Sequence, residues 1–159
     1  MSVQFHDNSI RVKEALEDAV YDFLERASAE LETQTARNSS PEKYRGKQAQ
    51  QLWDRVVDES AKEAKVGSPD EAAYWEELGT GEYALEGNGR QGAWFVPVER
   101  VTSRSKPTFQ GKVVVVYGDD GQAFYKTDGK RPKRMLHNAF TENKAKIIKR
   151  AEQIFKGLN

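Results

Sequence analysis

Residues 112–127 read KVVVVYGDDGQAFYKT, two β-rich runs on either side of a tight turn. Four consecutive valines and the Phe124-Tyr125 pair suit a pleated surface, and Gly118-Asp119-Asp120-Gly121 tolerates positive φ. The stretch therefore predicts an antiparallel hairpin of strands 112–117 and 122–127. Upstream, Trp94, Phe95 and Val96 predict a third strand over 93–98. Residues 100–110 read as a polar excursion between the two strand regions.

Outside the sheet the hydrophobic period changes from two to 3.6. Val12, Ala15, Leu16, Ala19, Val20, Phe23, Leu24, Ala27 and Leu31 share one helical face, which predicts a helix over 10–36, about 40 Å long. Asn8 or Ser9 can cap its start, and 37–41 ends it at Pro41. At the other end of the chain, Leu136, Ala139, Phe140, Ile147, Ala151, Ile154 and Leu158 form a stripe widened by Ile148 and Phe155, predicting a helix over 134–157. Its Lys144, Lys146, Lys149, Arg150 and Lys156 are expected to be a solvated face that complements the helix dipole. Ser68-Pro69-Asp70-Glu71 reads as a capping box that opens a short helix over 69–78, stopped by Gly79. Residues 42–67 combine helix-forming composition at 48–57 with period-two spacing at Trp53, Arg55 and Val57 and over 62–66, so pattern alone leaves both readings open. The expected fold is α+β, with a long N-terminal helix and a C-terminal helix packed on a small antiparallel sheet in a single domain over 1–159.

The 159 residues suffice to bury about 70% of the unfolded surface. Hydrophobic residues make up only 37%, so the core should be lean. The absence of cysteine removes thiol nucleophiles, disulfides and thiolate metal sites and fits a reducing compartment. No stretch has the length and apolarity of a signal peptide or a membrane span. Net charge is zero, yet residues 1–99 carry 11 basic and 20 acidic side chains and residues 100–159 carry 14 and 5, a division of −9 against +9. Three uses of that division stand open: pairing inside one fold, pairing between identical subunits, or a basic half that meets nucleic acid.

Few constellations carry chemistry. Residues 87–92 satisfy G-x-G-x-x-G, but a dinucleotide loop follows a strand and opens a helix, whereas here an acidic loop precedes the motif and a strand follows it. His6 and His137 lack metal or triad spacing, and His137 is expected to be packed or hydrogen-bonded. Asp119, Asp120 and Asp128 read as turn residues rather than a calcium loop. Glu76, Glu77, Glu82 and Glu86 cluster around a glycine turn and are expected to be solvated, a hydrolase built on them being a distant alternative. Lys126, Lys130, Arg131, Lys133 and Arg134 beside Tyr125 form a basic cluster able to grip phosphates, which makes a nucleic-acid-binding module the main alternative function.

Three segments read together resemble the gene-product-ten-like tail-component family of siphophages and prophages. They are 66–69 leading through Tyr74 to Glu77-Leu78-Gly79-Thr80-Gly81; Gly89-Arg90-Gln91-Gly92-Ala93-Trp94; and 125–127 with Gly129, Lys130, Pro132 and Phe140. Glu77, Gly79, Thr80, Gly81, Gly92, Trp94, Gly129 and Pro132 are the motif and turn residues, and they have structural reasons to exist. The resemblance implies a virion structural protein of tail completion or head–tail joining, also termed a minor capsid component. It implies no enzyme, no catalytic residue, no cofactor and no metal. Its partners would be further copies of itself in a homo-oligomeric ring and other head–tail connector or tail proteins, with DNA contact not favoured and no membrane. Synthesis in the host bacterial cytoplasm and residence in the virion follow. The family places a hairpin in the region of 42–67, and this chain departs from it at 97–122, where its connection is longer.

Overall fold

The 3.6-residue stripe at the start of the chain forms α1, Ser9–Asn38, in the computed structural model, which describes residues 7–39, 53–101 and 106–157. Asn8 occupies the cap position without a side-chain hydrogen bond; the Asp7 carboxylate instead accepts the Ser9 N–H at 2.9 Å. The stretch that pattern left open contains an antiparallel hairpin, β1 (Asp54–Asp58) and β2 (Glu63–Gly67), with Val56 opposite Lys65. Helix α2 runs Glu71–Leu78, two residues shorter at its start than the capping box predicts. The reason is competition between caps: the Asp70 carboxylate accepts the Ala72 N–H at 2.8 Å, while Ser68 Oγ accepts the Asp70 N–H and closes a turn in front of the helix. The remaining elements are β3 (Thr80–Gly81), β4 (Trp94–Pro97), a 3₁₀ turn (Val98–Arg100), β5 (Val114–Tyr117), β6 (Ala123–Thr127), β7 (Gly129–Lys130) and α3 (Met135–Lys156). The architecture is α+β, as the periodicities predict.

Helix α3 lies antiparallel along α1. Asn38 at the end of α1 donates to the Met135 carbonyl at the start of α3, and the ring of Phe155, near the end of α3, meets that of Phe23 at the middle of α1 at 6.3 Å. The β1–β2 hairpin lies on the same helix, tied by Arg55 to Glu25 (2.6 Å) and Glu32 (3.2 Å). The core at this crossing is small. Trp53, Ala73 and Met135 are buried together with Ala36 and Leu136 against them, and Trp53 Nε1 donates to Ser39 Oγ at 2.7 Å. Truncating a tryptophan so placed costs about 3–5 kcal/mol.

The second sheet is antiparallel in the order β4-β6-β5. Gly118–Gly121 makes the predicted tight turn, with Gly118 N donating to Gln122 O. Neither long helix packs extensively on this sheet among the described residues. It joins the helical layer through the short β3–β7 pair, and side chains such as Phe95 and Tyr117 stay exposed. At the start of α1, Ile10, Val12 and Leu16 are likewise exposed, so the helix extends past what the core covers. His6, residues 42–52, residues 102–105 of the excursion and Leu158 lie outside the described residues.

Candidate functional site

The motif residues, spread over three segments, converge on the junction between the helical layer and the three-stranded sheet. Gly79 ends α2 with φ +78, and its N–H donates to Trp75 O. The chain then pairs antiparallel with β7, Thr80 opposite Lys130 and Gly81 opposite Gly129. Contact is too close for side chains: a Cβ on Gly81 would lie 2.3 Å from the Asp128 carbonyl and 2.7 Å from the Trp94 ring. Pro132, two residues past β7, packs against Gly79. Gly92 donates its N–H to the Glu82 carboxylate at 3.1 Å, and Arg90 lies over the Trp94 ring at 5.6 Å.

Glu77 links this junction to the last helix. Its carboxylate accepts the Leu136 N–H at 2.9 Å and the His137 N–H at 3.0 Å, so a residue from α2 caps the N-terminus of α3 from 59 and 60 positions away. Arg134, in the left-handed region at φ 54, occupies the local cap position without a side-chain bond of its own to the helix. The Lys133 and Arg134 N–H groups donate to the Glu76 and Glu77 carbonyls.

Of the four carboxylates expected to be solvated, Glu82 and Glu86 are exposed, Glu77 is half-buried and Glu76 is buried. Glu76 is 2% exposed, on the same face of α2 as buried Ala73, and holds the ammonium groups of Lys130 and, at 2.6 Å, Lys133. Asp128, expected to be only a turn residue, is 4% exposed and accepts the Tyr83 hydroxyl at 3.1 Å. Asp120 does serve its turn, accepting the Gln122 N–H at 3.0 Å. Two cations of the α3 face expected to be solvated also pair with Glu30 of α1: Lys146, which stays exposed, and Arg150, which is half-buried. The −9 and +9 halves thus meet inside one chain, at Glu30 and at Glu76.

The basic segment is correspondingly engaged. Lys130 and Lys133 face Glu76, Lys126 lies over the Phe109 ring at 4.8 Å, Arg131 over the Tyr83 ring at 4.4 Å, and Arg134 contacts His137 Nε2 at 2.9 Å. Cation–π and ion-pair contacts of this kind brace the β7–α3 connection. The 87–92 glycine motif sits in turns ahead of β4, as its flanks predict. Among the described residues no helix is long and apolar enough to cross a membrane. Sequence reading missed Glu76 and Asp128 as buried acids; the one signal for Glu76 was its i, i+3 spacing from Ala73 on an amphipathic helix.

Tyr83 reports on the junction. Its hydrogen bond to Asp128, then partial desolvation and the Asp128 charge, raise its hydroxyl above the ordinary tyrosine range, while Arg131 pulls the other way. A raised pKa in the fold adds stability that is fully present below about pH 10 and lost as pH climbs through the raised value. Tyr83→Phe should therefore melt below the wild type near neutral pH, and the gap should narrow above about pH 10. Thermal unfolding followed from neutral to alkaline pH checks this; a gap constant across that range would remove the Tyr83–Asp128 bond from the account.

No protein-family model matches the chain, and no curated protein or solved structure is similar to it.

Proposed function

We propose that this chain is a phage or prophage virion structural protein that completes the tail or joins it to the head, acting by self-assembly and protein contacts without catalysis or a cofactor. What supports the reading most is the junction itself. The segments that carry the family resemblance meet there, in contacts that set shape: backbone pairing, a helix stop, a borrowed helix cap and a buried ion cluster. The exposed apolar start of α1, with Ile10 73% and Val12 65% exposed, supplies a surface suited to neighbouring subunits. On this reading the protein works as a homo-oligomeric ring against connector or tail proteins, is made in the host cytoplasm and ends in the virion. The nucleic-acid alternative ranks below it because Lys130 and Lys133 already face a buried carboxylate.

Disruption of the gene in the phage or prophage that carries it is the test. Particles lacking the protein should show filled heads and separate tails by electron microscopy, with infectivity restored by complementation. Intact infectious particles without it would overturn the reading, and affinity for DNA falling steeply with salt would replace it with the nucleic-acid module.

A further inference from the structure

The three-stranded sheet ends at β5 on an edge strand. In the β5–β6 ladder, Gly118 bonds Gln122, and residues opposite one another alternate between hydrogen-bonded and non-bonded pairs. Val116 and Val114 therefore point their backbone groups at β6, and Tyr117, Val115 and Val113 point theirs away from it. Phe109, which bonds Lys112 in both directions, lies on the β6 side by the same alternation and leaves this edge uncovered. Among the described residues no strand pairs with it. The side chains at these positions are exposed too: Val113 52%, Val115 42% and Tyr117 75%. An unpaired run of this apolar, β-branched composition is the kind of edge that proteins usually shorten, charge or cover.

We propose that β5 is a homodimer interface: two copies pair antiparallel about a twofold axis at Val115 and form a continuous six-stranded sheet. Three features of the sequence commit the edge to a second copy. With Val115 opposite its own mate, Val113 falls opposite the mate's Tyr117, and every outward N–H and C=O at 113, 115 and 117 meets a partner group. The same register places valine against tyrosine on one face, a favourable cross-strand combination. The ends are charge-matched as well: Lys112 of each copy comes beside the Gly118-Asp119-Asp120 turn of the other, whereas parallel pairing would set Lys112 against Lys112. The contact is isologous and closes at two copies, so it is independent of the ring reading, which needs a separate heterologous surface.

Sedimentation or light scattering of the purified full chain over about 1–200 μM tests it, this being the range of a small, reversible interface. A concentration-dependent monomer–dimer equilibrium is expected. Val115→Pro removes an outward donor without touching the β6 ladder, and Val115→Lys sets like charges face to face on the axis; each should weaken dimerisation at least tenfold while circular dichroism stays native. Lys112→Asp alone should weaken it several-fold, and Lys112→Asp with Asp119→Lys should restore it. A strict monomer over the whole range, or a dimer or larger oligomer indifferent to both Val115 variants and to the charge exchange, would overturn the proposal.

Discussion

Gly129→Ala is expected to lower the unfolding free energy by about 3–5 kcal/mol, a large share of what a domain this size possesses. Two costs add at that position. Gly129 has φ +122, a region closed to residues with a Cβ. An added Cβ would also stand 2.1 Å from the Thr80 carbonyl oxygen and 2.9 Å from Gly81 Cα, which are backbone atoms of the paired strand and cannot rotate aside. The β3–β7 pair would have to open, and with it the seam that carries α2 into the last helix. Gly92 provides the control, since it also has positive φ, +76, but has no atom within 4 Å of an added Cβ. Gly92→Ala should cost only about 1–2 kcal/mol, the left-handed penalty alone. Denaturant titration of both variants separates the two contributions; equal losses would mean that close approach at β3–β7 constrains nothing.

The same junction shows where sequence reading stops. The hairpin at 118–121 and both long helices are legible because turn chemistry and the 3.6-residue period are local signals. The start of α2 is displaced because Ser68 and Asp70 are both competent caps, and only the folded geometry decides that Asp70 reaches Ala72. Strands of two residues, β3 and β7, are too short to show any period at all. Glu76 looks like one more glutamate in a polar turn because its burial depends on lysines more than fifty positions downstream. The pairing of Glu30 with Lys146 and Arg150 escapes notice for the same reason, although the opposed charges of the two halves include pairing inside one fold among their three open uses. The motif residues are legible as a set, but their meeting at one seam is a property of the topology.

Removing the two lysines that face Glu76 should cost more than removing Glu76 itself. In Lys130→Met with Lys133→Met, a carboxylate 2% exposed loses the ammonium groups of Lys130 and Lys133, and its burial without them is expected to cost about 2–4 kcal/mol. In Glu76→Gln the groups left behind are ammonium ions 45% and 36% exposed, which water can solvate, so about 1–2 kcal/mol should suffice. A simple count of these two ion pairs ranks the variants equally, since each variant breaks both. The ranking by burial is therefore a test of where the desolvated charge lies. Denaturant midpoints of the two variants against the wild type decide it, with the triple variant that combines all three changes expected to recover much of the loss of the double one because no charge is then buried at position 76. If Glu76→Gln proved the more damaging change and the triple variant recovered nothing, the carboxylate would be stabilising by hydrogen bonding within the junction, and the lysines would be bystanders to it.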